Sequence, residues 1–90
     1  MKVTRTVEIC NERGLHARAS AKFVKLAGDF DAEVSVSRDG QTVDARSIMG
    51  LMMLAAGIGC TIEINAEGPE AKAAVAALGD LVAARFDEER

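Results

Sequence analysis

The residues that could carry chemistry in this chain lie around His16, its only histidine. Arg18 follows two positions later, and residues 13–28 contain four basic side chains and no acidic one. A neutral imidazole can act as a nucleophile towards phosphorus, and a planar guanidinium makes charge-assisted hydrogen bonds to phosphate oxygens. The combination favours a site that binds a small anion or carries a phosphoryl group, although a lone histidine is also commonly a helix cap or a surface residue.

The charge distribution narrows the kind of partner. The net charge is −3, and outside residues 13–28 the chain has 7 basic and 14 acidic side chains. Nucleic-acid-binding proteins usually combine a wide basic surface with aromatic or arginine-rich stretches, whereas this chain has three Phe and no Tyr or Trp. A local positive face on an acidic protein instead suits a small anion or the acidic surface of a protein partner. We therefore expect no nucleic-acid partner.

His16 lies where a predicted strand gives way to a predicted helix. Residues 2–10 alternate apolar and polar side chains, interrupted at Arg5, which is typical of a half-buried strand. From Ala17 to about Ala27 apolar residues recur at helical spacing, and Gly28 is a stop signal. The residues expected to face the core are Ala19, Phe23, Leu26 and Ala27, and those expected to face outward are Ser20, Lys22 and Lys25. His16 is thus expected at the helix N-cap or beside it, where unpaired backbone N–H groups and the helix dipole favour an anion.

The remaining chain predicts three further strands and two helices. Two strands meet at Asp39-Gly40, a pair that favours a tight hairpin turn, a short helix is expected from Ile48 to Ile58, and a last helix is expected to start at 68–70. The residues expected to be buried in these later elements are Leu51, Leu54, Ala55, Ile58, Ile62, Ile64, Ala66, Val75, Leu78, Val82 and Phe86. The order β-α-β-β-α-β-α predicts one α+β domain, residues 1–90, in which helices cover one face of a four-stranded antiparallel sheet. The pattern alone also permits a ferredoxin-like topology.

Signals for membrane insertion, export and metal binding are missing. No stretch approaches the roughly 20 apolar residues that span a bilayer, and the first five residues lack the apolar run of a signal peptide. We therefore expect a cytoplasmic protein with no membrane partner. Cys10, Cys60 and one histidine cannot supply the usual four ligands of a zinc site, so both cysteines are expected to be reduced thiols. No metal and no cofactor is predicted.

Three short motifs resemble those of one known family. They are Gly14-Leu15-His16-Ala17-Arg18, Ala21-Lys22-Phe23-Val24 and Arg46-Ser47-Ile48-Met49-Gly50-Leu51. They are similar to motifs of the HPr family, the histidine-containing phosphocarrier proteins of the bacterial phosphoenolpyruvate-dependent phosphotransferase system. The resemblance extends over essentially the whole chain, and it implies an open-faced β-sandwich with three helices on one face of the sheet.

The resemblance also implies roles for individual residues. His16 would be phosphorylated on Nδ1 by phosphorylated enzyme I, giving a pros-phosphohistidine, and would pass the group to an enzyme IIA-type acceptor. Arg18 would stabilise the phosphoryl group. A protein of this kind is a stoichiometric carrier and not an enzyme, and we expect it to be a monomer.

Ala19 departs from the family pattern, because the family commonly has proline at this position. Proline would fix the first helical turn and remove an N–H donor, whereas alanine keeps the donor. Ala19 is similar to the residue found in the nitrogen-related, regulatory branches of the system in proteobacteria. Phosphoryl transfer is expected to survive the change, and sugar transport and regulation both stay open as the final output.

Ser47 begins the predicted second helix, where its hydroxyl is expected to cap a backbone N–H group. In many members of the family that the chain resembles, the matching serine is also phosphorylated by an HPr kinase/phosphorylase. The resemblance therefore implies regulatory phosphorylation at Ser47 and adds this kinase as a partner. The two roles are compatible, because capping geometry exposes the hydroxyl.

Three apolar residues, Ile48, Met49 and Met52, fall outside the buried stripe predicted for the second helix. We expect them to form an exposed apolar surface beside His16 on which several partners dock, since methionine side chains adapt to different shapes. Further residues expected to bind partners are Ala17, Lys22 and Lys25. The alternative is a methionine-rich core, and Met53 has no predicted role.

Two other function classes fit parts of the sequence. A non-catalytic regulatory module would bind an anion or a protein through the basic first helix. A small phosphatase or acyl-phosphate hydrolase would need a base or a metal to activate water, and the carboxylate nearest to His16 in sequence is Glu12. Incubation with phosphoenolpyruvate and enzyme I separates both classes from a carrier.

Overall fold

The computed structural model describes the whole chain, residues 1–90, and has the predicted element order β-α-β-β-α-β-α. The elements are β1 (Lys2–Glu8), α1 (Ala17–Ala27), β2 (Glu33–Arg38), β3 (Gln41–Asp44), α2 (Ile48–Met53), β4 (Thr61–Glu67) and α3 (Ala71–Ala83), followed by a tight turn at Arg85–Asp87. The bounds predicted for α1 are confirmed. None of the three helices has the length and hydropathy required to cross a membrane.

The four strands form one antiparallel sheet in the order β1-β4-β2-β3. β4 pairs with both β1 and β2, so the last strand of the chain joins the first strand to the β2-β3 hairpin. Asp39 and Gly40 connect the hairpin with positive φ values of 50° and 81°, as expected for this residue pair. The α+β class is confirmed. The ferredoxin-like alternative does not apply, because that topology places its first strand inside the sheet, whereas β1 is an edge strand here and pairs only with β4.

The core lies between one face of the sheet and the helices. It contains 20 buried apolar residues, among which Phe23 of α1 and Phe86 near the end of the chain are fully buried. Burying a side chain of this size stabilises the fold by roughly 1.5–3 kcal/mol. Along β4, Ile62 and Ile64 are buried while Glu63 is exposed, so the opposite face of the sheet is open to solvent. The open-faced β-sandwich is confirmed.

Arg5 occupies an inward position of β1 between Val3 and Val7, which pack against the core. Its guanidinium lies over Gly79 of α3, where a Cβ atom would stand 2.2 Å from the arginine Nη1 atom. The same Nη1 atom reaches Oδ1 of Asp80 at 3.9 Å. The alternation of β1 therefore continues through Arg5, because a glycine in the facing helix makes room for a long side chain whose charge stays near the surface.

Ser20 is fully buried, and its predicted outward position is wrong. Its hydroxyl donates a hydrogen bond to the Leu15 carbonyl at 3.2 Å, which satisfies this polar group inside the protein. The apolar periodicity of α1 could not reveal this, since a serine that bonds to a nearby carbonyl occupies little more space than an alanine.

The second helix is shorter than predicted. α2 ends at Met53, and Ala55 has a positive φ of 52°. Ile58 is 61% exposed, so the prediction of a helix with a buried stripe up to Ile58 is wrong. In place of another helical turn, the Ala56 carbonyl accepts a hydrogen bond from the Leu15 N–H at 3.0 Å. This tertiary hydrogen bond outweighs the helical spacing of the sequence and ties the loop after α2 to the segment before His16.

The last helix starts later than predicted. Glu70 is at its N-cap and Ala71 is its first residue, so Pro69 precedes the helix and does not lie in its first turn. The Glu70 carboxylate accepts a hydrogen bond from the Asp31 N–H at 2.8 Å, and the Glu70 N–H donates to the Asp31 carbonyl at 3.0 Å. These two bonds anchor the start of α3 to the loop between α1 and β2.

Phe86 lies beyond the end of α3, although it was predicted as the last residue of that helix's buried stripe. Arg85, Phe86 and Asp87 have positive φ values of 58°, 53° and 64° and form a left-handed turn. Such a conformation costs roughly 1–2 kcal/mol per non-glycine residue, and here the burial of the Phe86 ring offsets part of that cost. The turn directs the last residues back across the start of α1.

Candidate functional site

His16 is the N-cap residue of α1, as predicted. Its backbone is extended, with φ −76° and ψ −179°, and its carbonyl accepts the first helical hydrogen bond, from the Ser20 N–H at 2.9 Å. The His16 side chain makes no capping hydrogen bond. The N–H groups of Ala17, Arg18 and Ala19 therefore have no acceptor within the helix, and together with the helix dipole they favour an anion at this end.

The loop that leads into His16 requires glycine at position 14. Gly14 has a positive φ of 64°, and a Cβ atom there would lie 2.3 Å from the Ala56 carbonyl oxygen. Leu15 donates its N–H to that same oxygen. Residues 14 and 15 thus pack directly against the loop after α2, which is how the fold brings the end of α2 close to His16.

Glu88 contacts the His16 ring, and sequence reasoning missed it. Its Oε2 atom lies 2.5 Å from Nε2 of His16, with about one-fifth of each side chain exposed. The other carboxylate oxygen, Oε1, accepts a hydrogen bond from Nδ2 of Asn11 at 3.1 Å. Asn11 is fully buried and also donates to the Gly14 carbonyl at 2.9 Å. The sequence contains no signal for this contact, because the two residues are 72 positions apart and Glu88 lies in an ordinary acidic tail.

The pKa of the Glu88 carboxyl lies below its ordinary value. Burial raises this pKa, but hydrogen bonds from His16 and Asn11 and the nearby charges of His16 and Arg13 lower it by more. Glu88 is therefore ionised at neutral pH and can only accept hydrogen bonds from the imidazole.

A polar cleft of about 260 Å³ opens beside the His16 ring. Its lining residues are Glu12, Arg13, His16, Arg18, Glu88 and Arg90. Arg18 is exposed and forms no hydrogen bond or ion pair through its side chain, so its guanidinium is free to turn towards a ligand. Three arginines against two glutamates give the cleft a positive balance, which suits a phosphate-sized anion.

Ser47 is the N-cap residue of α2, and its predicted capping role is confirmed. Its Oγ atom accepts a hydrogen bond from the Gly50 N–H at 2.9 Å. The side chain is half-buried, and the first residue of α2 beside it, Ile48, is exposed.

An apolar patch surrounds α2 and the loop that follows it. Its members and their exposed fractions are Ile48 (39%), Met49 (66%), Met52 (38%), Met53 (73%) and Ile58 (61%). The alternative of a methionine-rich core is therefore wrong, and Met53 and Ile58 extend the predicted surface. Of the other residues expected to bind partners, Ala17 and Lys25 are exposed, whereas Lys22 is half-buried and donates to the Phe86 carbonyl at 2.7 Å.

Comparison with known proteins decides the family. The family model described as "PTS HPr component phosphorylation site" matches residues 3–84. The chain belongs to the HPr family. It is 55% identical to the phosphocarrier protein HPr of Cupriavidus necator over 93% of this chain and 94% of that protein. It is 46% identical to the phosphocarrier protein NPr of Shewanella violacea over 97% of this chain and 96% of that protein.

The solved HPr structures have the same fold as this chain. HPr-C-His from Thermoanaerobacter tengcongensis is 41% identical in sequence and superposes with a TM-score of 0.93. The superposition covers 98% of this chain and 99% of that chain. The chain is a phosphoryl carrier of the phosphotransferase system. The match to the HPr family model ends at residue 84, so Glu88 and the tail that holds it lie beyond the matched segment.

Proposed function

We propose that His16 is the residue that carries the phosphoryl group, accepting it from phosphorylated enzyme I and passing it to an enzyme IIA-type acceptor. The observation that carries this proposal is the position of His16 at an uncapped helix N-terminus, beside the arginine-lined cleft. Because Nε2 is engaged by Glu88, the nucleophile is Nδ1. The chain acts as a stoichiometric carrier and not as an enzyme, because it regains its starting state only by handing the group on.

Charge stabilisation at the site comes from this chain's own groups. The phosphoryl oxygens attached to Nδ1 accept hydrogen bonds from the free N–H groups of the first turn of α1, where the positive end of the helix dipole also lies. The Arg18 guanidinium turns into the cleft and adds a charge-assisted bond. These groups stabilise the transferred group without accepting it, so the phosphohistidine stays able to pass it on.

Partners dock on the surface around His16. The apolar patch supplies the buried part of this contact through Ile48, Met49 and Met52, and Ala17, Lys22 and Lys25 supply the neighbouring contact with acidic partner groups. Lys22 uses one N–H of its ammonium in the bond to the Phe86 carbonyl, and the remaining N–H groups contact the partner. Residues 1–90 act as one domain and as a monomer in the cytoplasm.

Ser47 is proposed as a regulatory phosphorylation site for an HPr kinase/phosphorylase. Its hydroxyl lies at the edge of the apolar patch, next to Ile48. A phosphate there brings a charge of about −2 to the rim of the docking surface, where it must be desolvated when a partner binds. Phosphorylation therefore weakens docking and leaves the His16 site itself intact.

The test is incubation with phosphoenolpyruvate and enzyme I. A carrier gains one acid-labile phosphoryl group per chain, a hydrolase releases phosphate continuously, and a pure binding module does neither. Hydrolysis is disfavoured by the geometry, because both oxygens of Glu88, the carboxylate beside His16, are already engaged by His16 and Asn11. A chain that stays unlabelled would contradict the proposal.

A further inference from the structure

We propose that Glu88 is a positioning residue that holds His16 in the Nε2–H tautomer, so that the lone pair used for phosphoryl transfer is always on Nδ1. The inference rests on the proposed role of His16 and adds a residue beyond the segment matched by the HPr family model, residues 3–84. It also gives the carboxylate a second task, which is to balance the positive charge of the phosphorylated ring.

The contact between Glu88 and His16 is held from both sides of the carboxylate. One oxygen meets Nε2 at 2.5 Å, and the other accepts from the amide of Asn11 at 3.1 Å. That amide is fixed in turn, because Asn11 is fully buried and its Nδ2 atom also donates to the Gly14 carbonyl. The carboxylate thus connects the ring to the loop that precedes it, a pattern that resembles the partners which orient histidines at other reactive sites.

The tail that carries Glu88 is also fixed on either side of it. The Phe86 ring is fully buried, and its carbonyl accepts from the Lys22 ammonium at 2.7 Å. After Glu88, the Arg90 carbonyl accepts from the Glu12 N–H at 3.0 Å. Because contacts before and after Glu88 fix the chain, the fold itself holds the Glu88 carboxylate against the His16 ring.

The chemistry follows from the hydrogen-bonding capacity of a carboxylate. An ionised Glu88 only accepts, so Nε2 must carry the proton and Nδ1 must carry the lone pair. That lone pair forms the N–P bond while the bond from phosphorus to the donor group of enzyme I breaks and its electron pair returns to that donor group. The ring becomes positively charged beside Glu88. In onward transfer the N–P electron pair returns to Nδ1, and the Nε2 proton does not move in either direction.

Substitution of Glu88 by Gln gives a result that a merely structural role would not give. Asn11 Nδ2 is only a donor, so it selects the oxygen of the new amide and leaves the amide NH₂ group facing Nε2. A donor at Nε2 forces the proton onto Nδ1 and removes the nucleophilic lone pair. We therefore expect Glu88→Gln to be more harmful than Glu88→Ala, although glutamine is the closer match in shape.

The experiment measures ring ¹⁵N chemical shifts of the unphosphorylated protein at about pH 9, where imidazoles are neutral, and the rate of phosphoryl transfer from enzyme I. Wild type should show the Nε2–H tautomer, Glu88→Ala a mixture, and Glu88→Gln mainly the Nδ1–H tautomer with transfer slowed by tenfold or more, as wrong-tautomer substitutions do elsewhere. Glu89→Gln is the matched control, because it makes the same substitution at the adjacent residue, whose side chain is exposed and forms no hydrogen bond. Its tautomer and its transfer rate should both equal those of wild type.

The tautomer readout needs no phosphoryl donor, so it is independent of the proposed function. A wild-type protein that enzyme I does not label would contradict the role of His16. An Nε2–H tautomer in Glu88→Gln, or a transfer rate of Glu88→Gln equal to that of wild type, would overturn the role of Glu88. A Glu88→Ala variant slower than Glu88→Gln would also overturn it, since that order is the one expected for lost packing.

Discussion

The N-termini of α1 and α2 occupy equivalent positions at the start of a helix and are used in opposite ways. At α2 the Ser47 hydroxyl accepts from the Gly50 N–H, so the cap is satisfied within the protein. At α1 the His16 side chain turns away from the helix to Glu88 and leaves the first N–H groups without a helical acceptor. One helix start is closed, because its own side chain caps it, and the other is open, with free N–H groups that hold the phosphoryl oxygens in the function proposed for His16.

The largest expected effect is that of His16→Ala. It should abolish phosphoryl acceptance, because the only imidazole is gone, and it should shift the thermal midpoint by less than about 4 °C, since the side chain caps nothing. Ser47→Ala is the matched change at the closed helix start, and we expect full labelling with a loss of about 1 kcal/mol of stability. The measurement is the intact mass of each variant after incubation with phosphorylated enzyme I. A phosphorylated His16→Ala variant would contradict the functional difference between the two helix N-termini.

Arg18→Ala should slow phosphoryl transfer in both directions by roughly ten- to a hundredfold, because one charged donor to the phosphoryl oxygens is lost while the nucleophile remains. Lys25→Ala removes an exposed charge of the same sign from the same helix and should change the rate much less. The measurement is rapid-quench transfer from enzyme I and to the IIA-type acceptor. Equal rates in the two variants would mean that the backbone N–H groups suffice at the open helix start.

Ser47→Asp should weaken docking to enzyme I several-fold and leave the thermal midpoint nearly unchanged, because Asp is itself a good N-cap. Ala73→Asp places the same charge on an exposed site of α3, remote from the apolar patch in the sequence, and serves as the control. The readouts are the concentration dependence of the transfer rate and the midpoint. A large fall in the midpoint would assign the effect to a lost cap, and an unchanged transfer rate would place Ser47 outside the docking surface.

The sequence predicts the open helix start well because its information is local. The strand-to-helix change places His16 at the N-cap, and the alternating and helical spacings place Phe23 and Ile64 in the core, as the structure confirms. The same kind of pattern fails at Ile58, where a tertiary hydrogen bond to the loop before His16 ends α2 early. Local spacing predicts which elements form, and long-range contacts decide where they stop.

The part of the site that could not be predicted depends on the end of the chain. Glu88 reaches His16 only because three consecutive non-glycine residues, 85–87, adopt a left-handed turn, which no residue preference would suggest. Asn11 is similarly hidden, since an asparagine after a strand is an ordinary loop residue until its burial is known. Sequence spacing predicted the position of His16 at the helix N-cap, whereas the residues that contact its ring required the three-dimensional structure.

The smallest expected effect is on stability in acid and also concerns the open helix start. The pKa of Glu88 in the folded protein lies below its ordinary value of 4.5, so this carboxylate adds stability above about pH 4.5 and the contribution is lost as the pH falls through the folded-state pKa. The midpoint of wild type minus that of Glu88→Gln should therefore decrease by a few degrees between pH 5 and pH 3. Glu89→Gln should show no such trend, and a wild-type advantage that grows in acid would mean that the contact between Glu88 and His16 does not persist in solution.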